Sequence, residues 1–259
     1  MVLPFILLSF AQKPAPSLVV LPEDELILPP YLVTFEGGSI LNTSSAGHKK
    51  RAAAPAEWLE YGDSFSLPAR LSFQVYMNEY LEWVGGGVFE GTIGKENWIR
   101  AESADQVRLE NGWMKVWVKP SPQNHGKGIE IKTKNTSLTA NNAVFWINAR
   151  DQVTEVYLLE GALTDSGGKY LAVSDFGKTF AQWTGNQKEL KYTSQAWDEK
   201  PLEIRLAGIY PELVKLAEKA EKDWEKGRVT DQYAELRRKG WRKASRLAPA
   251  ESKDHLKIK

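Results

Sequence analysis

The chain has 259 residues, of which 42% are hydrophobic and 26% charged, values typical of a folded globular protein. Lys and Arg number 34 against 33 Asp and Glu, and this net charge of +1 argues against a protein built mainly to bind nucleic acid. Cys is absent, which excludes thiol nucleophiles, disulfide bonds and Cys-ligated zinc sites.

Residues 1–11 form a short apolar run that ends in Ser9-Phe10-Ala11, a small-x-small pattern of the kind that signal peptidase cleaves. The run is shorter than most signal peptides and no basic residue precedes Lys13, so we predict a truncated signal peptide. A first strand or an anchor is the alternative. The signal peptide predicts export to the periplasm or cell envelope. No later run of 18 apolar residues exists, so no transmembrane span is predicted.

Residues 12–60 are predicted to be irregular, because Pro and Gly interrupt their apolar stretches. Between residues 61 and 200 apolar and polar residues instead alternate, most clearly in the runs 71–77, 113–119, 129–133 and 153–159. Side chains of a strand point alternately to opposite faces, so each run presents one face to a core.

The sequence Asn111-Gly112, which lies between two alternating runs, predicts a two-residue hairpin turn. No convincing helix interrupts the region, which argues against a parallel α/β sheet. The predicted fold class is therefore mainly β, as an antiparallel sandwich, barrel or solenoid.

Residues 201–249 are predicted to form a helical hairpin, followed by a polar tail at 250–259. The first helix has one apolar stripe: Leu213, Leu216, Ala217, Ala220 and Trp224. The second begins near Thr230 and carries Tyr233, Leu236 and Trp241 on one face. Helices gain most of their stability by burying such a face, so we expect the two helices to pack together and dock on the β domain.

Residues 228–259 contain ten basic residues against four acidic ones. Arg238, Arg242 and Arg246 are spaced four apart and are predicted to line the outward face of the second helix. Such a face would suit an anionic partner, although a merely solvated helix surface is the alternative.

No pattern in the sequence indicates an enzyme. The three histidines, His48, His125 and His255, are far apart, and no phosphate-binding loop, dinucleotide fingerprint or nucleophile elbow is present. We therefore predict no catalytic residue, no cofactor and no metal site.

The β region is rich in tryptophan, and two of these residues share a strand face. Trp113 and Trp117 alternate with Lys115 on that face, where they could stack sugar rings or an extended polymer. The alternative is that a second sheet, a loop or the C-terminal helices cover them, since Trp residues dominate cores. An exposed pair would favour a carbohydrate- or cell-wall-binding module.

Four segments occur in a characteristic order. Residues 112–118 read Gly-Trp-Met-Lys-Val-Trp-Val, and 129–133 form a strand that ends in Thr. A hydrophobic segment follows at 143–148, and the strand at 154–161 closes on Glu-Gly. In this order they resemble the FecR domain, an all-β module of bacterial envelope proteins, and the resemblance extends over much of 61–200.

One motif departs from the FecR pattern. The family usually carries Arg-Gly-Thr just before the hydrophobic segment, where this chain reads Ala-Asn-Asn-Ala-Val at 140–144. Asn readily adopts left-handed backbone geometry, so Asn142 is expected to take the position of the Gly. The best-known members signal to a sigma factor through a cytoplasmic segment, which is not recognisable here. The resemblance therefore implies an exported, non-catalytic protein, structural or regulatory, that contacts an envelope protein or a cell-wall polymer.

Overall fold

The computed structural model describes residues 31–35, 41–43, 51–52, 57–59, 64–67, 72–78, 81–95, 105–120, 128–173, 178–185, 191–197, 199–227 and 235. The predicted signal peptide at 1–11, the tail at 250–259 and nearly all of the second predicted helix lie outside these residues. The basic residues Arg238, Arg242 and Arg246 lie outside them as well.

Most of the described residues lie in β-strands, as predicted. The strands are β1 (Tyr31–Phe35), β2 (Leu41–Thr43), β3 (Arg51–Ala52), β4 (Glu57–Trp58), β5 (Ser64–Leu67), β6 (Ser72–Asn78), β7 (Leu81–Lys95), β8 (Asp105–Val118), β9 (Ile129–Lys132), β10 (Ser137–Arg150), β11 (Val153–Asp165), β12 (Tyr170–Ala172), β13 (Lys178–Thr184) and β14 (Lys191–Trp197). Two helices follow them, α1 (Glu199–Ile209) and α2 (Pro211–Glu225).

All 14 described strands belong to one sheet, whose main path runs β14-β13-β11-β10-β9-β8-β7-β5-β2-β3. Each of the described pairs is antiparallel except β8 with β9, so the sheet is mixed. The two ends of the path do not pair with each other, and among the described residues the sheet is therefore open rather than a closed barrel.

The long strands change partners along their length. The second half of β8 pairs with β10, while its first four residues pair with β9. Near these changes the register shifts, and glycines with positive φ supply the kinks: Gly87 at 78°, Gly112 at 110° and Gly161 at 73°. The strands can therefore bend without losing their hydrogen bonds on either side.

The predicted hairpin turn at Asn111-Gly112 is wrong. Both residues lie inside β8, where Asn111 pairs with Glu90 and Trp113 pairs with Gly86 of β7. The intervening residues of β7 bulge opposite Gly112. A residue with positive φ serves a bulge as well as a turn, so the local signal did not distinguish one long strand from two short ones.

The expectation that residues 12–60 are irregular also differs from the structure, which places β1 to β4 within that range. These strands have two to five residues each, and β1 is held by pairing with β6. Such short strands depend on the neighbours they pair with more than on their own residues, and the alternation that identifies a strand is too short to read.

The sheet buries apolar side chains on both of its faces. One face forms the larger core, to which the central strands contribute Met114, Val116, Phe145, Ile147, Val156 and Leu158. The other face is packed against α1 and α2. The predicted docking of an apolar helix stripe on the β domain is confirmed, since Leu213, Leu216 and Trp224 of α2 are buried there.

Helix α1, which precedes α2, packs on the same face of the sheet and contacts α2. The partner helix predicted at 230–249 lies outside the described residues apart from residue 235, so that prediction is not tested. Pro211 stands in the first turn of α2, where its missing N–H and fixed φ are tolerated. The helix ends at Glu225, and Gly227 follows with φ of 69°, the left-handed geometry in which a glycine commonly ends a helix.

Gly161→Ala is expected to destabilise the protein by more than about 2 kcal/mol, because a Cβ there would lie 1.9 Å from the carbonyl oxygen of Asn142. Gly168→Ala is the matched control. Its φ of +77° is equally positive, but a Cβ would meet nothing within 4 Å, so only the backbone cost of about 1 kcal/mol is expected. Urea unfolding of both variants measures the difference, and equal losses would contradict the close packing of the bulge.

Candidate functional site

The sheet face beneath the helices is unusually aromatic. Five strands contribute to it, and we call the following residues the aromatic face: Tyr76, Val84, Trp113, Trp117, Val144, Trp146, Tyr157 and Leu159. From above, α1 contributes Leu202 and Leu206, and α2 contributes the apolar stripe predicted from the sequence. Together these residues make a second core between the sheet and the helices.

The structure places Trp113, Lys115 and Trp117 on one strand face, as the alternation predicted. Their exposed fractions are only 5%, 1% and 1%, so the exposed indole pair that a ligand-stacking platform requires is not present. Trp113 instead stacks on Tyr157 with ring centroids 6.0 Å apart and meets Trp146 edge-on at 6.3 Å. The alternative in which the C-terminal helices cover these residues describes the structure.

Lys115 is a cation buried within this aromatic layer. Its Nζ lies 5.1 Å from the ring centroid of Trp117 and 5.5 Å from that of Trp146, distances that suit cation–π attraction. It also donates a hydrogen bond of 3.0 Å to Oε1 of Glu221 on α2. The ion pair therefore links the centre of the sheet to the helix above it.

We expect Glu221→Gln to destabilise the protein by about 1–3 kcal/mol, because it leaves the buried Lys115 cation without its charged partner. In a Lys115→Met background, which keeps an apolar stem but removes the charge, the same substitution should cost little. A double-mutant cycle by urea unfolding gives the coupling between the two side chains. A coupling near zero would show that the pair does not hold α2 to the sheet.

A second ionisable group, Glu82 of β7, is fully buried on the same side of the sheet. Gln74 of β6 donates a hydrogen bond to its Oε1, whereas its Oε2 has no hydrogen-bond partner. Burial raises the pKa of Glu82 to about 8; the charge of Asp223 on α2 raises it as well, and the Gln74 hydrogen bond opposes the rise. At neutral pH this carboxyl group is mostly protonated.

Tyr76 lies next to this carboxyl group on the neighbouring strand, where it pairs with Glu82 in the β6–β7 register. Burial raises the pKa of the Tyr76 hydroxyl, and the charges of Glu82 and Asp223 raise it further. The buried layer beneath α2 thus disfavours negative charge on both Glu82 and Tyr76.

The α1 end of the aromatic face is held by Arg205. Its Nη2 donates a hydrogen bond of 3.1 Å to the hydroxyl of Tyr157, and its guanidinium carbon lies 5.8 Å from the ring centroid of Trp113. Burial raises the pKa of Tyr157, while the Arg205 hydrogen bond lowers it. Phe180 and Trp197 pack against Tyr157 at 4.8 Å and 5.0 Å and complete this end.

The sequence analysis did not single out Gln74 or Glu221 as parts of a site. Gln74 and Glu82 occupy polar positions of their strands, which an alternating pattern assigns to the solvent side. Helix α2 docks over that side, where it contacts β6 and β7, and both side chains are buried. The one sequence feature that indicated a covered sheet face was the apolar stripe of α2, because such a stripe must pack against another surface.

Across the described residues, no three His, Asp or Glu side chains are grouped so that they could hold a metal ion. In the same part of the chain, no helix is both long and apolar enough to cross a membrane.

The buried Asn135 excludes one modification in the folded state. It belongs to an Asn-Thr-Ser sequon, but its Nδ2 donates hydrogen bonds to the Arg150 carbonyl and to Oγ1 of Thr154, both at 3.2 Å. A glycan on that nitrogen would displace both bonds, so this sequon is structural in the folded protein.

Comparison with known proteins gave no family model that matches the chain and no matching curated protein. Among solved structures, two crystal structures of a proposed anti-sigma factor from Parabacteroides distasonis are similar, each with a TM-score of 0.42. Their identities are 12% and 13%; each match covers 54% of this chain and 63% or 62% of the other. The match thus spans less than two thirds of those proteins, and at these values we draw no functional conclusion from it.

Proposed function

We propose that this chain is an exported, non-catalytic protein of the bacterial cell envelope, related to the FecR domain, that regulates or supports a partner protein by direct contact. One observation carries the proposal. The four segments that resemble the FecR domain in sequence lie on β8, β9, β10 and β11, which are neighbours in the sheet. The resemblance therefore follows one continuous structural unit rather than scattered strands.

The sequence at 140–144, where the chain departs from the FecR motif, is compatible with the pairing of β8, β9, β10 and β11. Residues Asn141 and Asn142 lie inside β10 at the bulge between Ala140 and Asn142, where the strand changes its pairing from β9 to β8. The side-chain oxygen of Asn141 accepts a 2.8 Å hydrogen bond from the N–H of Gly128 just before β9. The two asparagines thus supply a bulge and an anchor at the position of the family's triplet.

Contact with a protein partner suits the way the aromatic face is used. Its aromatic rings and its buried cation are engaged by α1 and α2 of the same chain, so the helices and sheet make one unit. Such a unit offers its outer surface for binding, which supports a scaffold or regulatory role over recognition of a ligand in the closed face.

Fractionation of the native bacterium, followed by crosslinking in intact cells, tests the proposal. The protein is expected in the periplasmic or envelope fraction, crosslinked to a discrete protein partner, while a cytosolic marker stays in the soluble cytoplasm. Recovery only in the cytosol with Met1 intact would contradict export. Crosslinking to glycan strands without any protein would contradict action by protein contact.

A further inference from the structure

We propose that α2 is a pH-sensitive lid on the aromatic face, docked while Glu82 is protonated and lifted from the sheet when Glu82 ionises. This inference is independent of the proposed function, because it rests only on the groups between the sheet and the helix.

Among the described groups around Glu82, a single neutral hydrogen bond stabilises its ionised form. From β6, Gln74 donates this hydrogen bond and Tyr76 contributes a hydroxyl. From β8, Lys115 is already paired at 3.0 Å with a carboxylate of α2. From α2 itself comes the negative charge of Asp223, which raises the pKa of Glu82 in addition to burial. Ionisation therefore places an uncompensated charge beneath the helix, opposite another charge of the same sign.

Lifting α2 is the least costly way to hydrate that charge. Strand β7 is hydrogen-bonded on both sides, to β6 and to β8, so Glu82 cannot move to solvent without breaking the sheet. In contrast, α2 contacts the sheet through side chains, and its backbone hydrogen bonds stay intact when it undocks. Local opening of such an element costs less than unfolding of the whole domain.

Two further polar groups in the interface favour opening. The indole N–H groups of Trp117 and Trp146 are buried without a hydrogen-bond partner, and water would satisfy both once the helix lifts. Opening would also uncover Lys115 between these two rings. The face that the sequence marked for ligand stacking would then become accessible in the open state.

Hydrogen exchange measured by mass spectrometry on the full-length protein between pH 5 and pH 8 tests the lid. After correction for the intrinsic exchange rate, the protection of α2 amides should fall by about tenfold per pH unit in this range. In Glu82→Gln the protection should not change with pH. The exposed Glu218 of the same helix provides the matched control, and Glu218→Gln should behave like the wild type.

The wild-type profile alone can overturn the proposal, whether or not the variants fold well. Protection of α2 that does not depend on pH would exclude the lid. Equal protection factors in α2 and in the central strands β8 and β10 at every pH would show unfolding of the whole domain instead. A pH dependence that persists in Glu82→Gln would assign the switch to another group.

Discussion

Replacing Trp117 with Ala is expected to lower the free energy of unfolding by about 3–5 kcal/mol. The indole is fully buried between β8 and the helices, and it packs in the same cluster as the apolar stripe of α2. Removing it would leave a large cavity and would deprive Lys115 of one of its two aromatic neighbours. Urea unfolding measures the loss as a lower midpoint at an unchanged slope.

The control for this substitution is Ile204→Ala on the outer side of α1, where the side chain is 67% exposed. Its effect should stay within about 0.5 kcal/mol, as is usual for surface positions. If Trp117→Ala were as mild as Ile204→Ala, the helices would not cover the aromatic face in solution.

The second large effect concerns pH. The pKa of Glu82 is raised from 4.5 to about 8 in the folded protein, so between these values the folded state keeps a proton that the unfolded chain has lost. The free energy of unfolding therefore decreases as the pH rises from 4.5 to 8 and levels off above 8. One pKa unit corresponds to about 1.4 kcal/mol, which makes the full loss roughly 5 kcal/mol.

Glu82→Gln removes the titrating group while keeping the size of the side chain and its contact with Gln74. We expect this variant to be several kcal/mol more stable than the wild type at pH 8, with a gap that shrinks toward pH 4.5. Glu218→Gln, on the exposed side of α2, controls for the loss of one surface charge. Parallel pH profiles of wild type and Glu82→Gln would show that folding does not raise the pKa of Glu82.

The alternation along β8 predicted which side chains share a face, because that property is local to one strand. Trp113 and Trp117 indeed lie opposite Met114 and Val116, which face the larger core. Whether water or a helix covers the first set depends on residues far along the chain. The exposure of the indoles therefore could not be read from β8 itself.

The two helices show the same limit. The apolar stripe of α2 repeats at helical spacing and was predictable, whereas α1 has only Leu202 and Leu206 buried among the described side chains of 200–209. Pro201 lies near the start of α1, where a helix tolerates Pro. In a sequence, however, a Pro usually indicates that no helix continues through it. Packing on the sheet, rather than the helix's own pattern, accounts for α1.

The raised pKa of Glu82 was beyond any sequence pattern. It results from burial beneath α2 and from the charge of Asp223 on that helix, which the chain brings together only in the folded state.

The glycines in the sequence predicted part of the backbone geometry. Gly112 marked a backbone position with positive φ correctly, but the choice between a turn and a bulge depended on the pairing of β8 with β7.

Thiol labelling tests the central claim, that α2 seals the aromatic face, most directly. The chain has no Cys, so a single introduced thiol reports one position without background. Ala220 of α2 is fully buried against the sheet, while its neighbour Lys219 is exposed. Near pH 6.5, Ala220→Cys should label roughly 100-fold more slowly than Lys219→Cys, because it reacts only when the helix opens. Equal labelling rates for the two variants would contradict the claim.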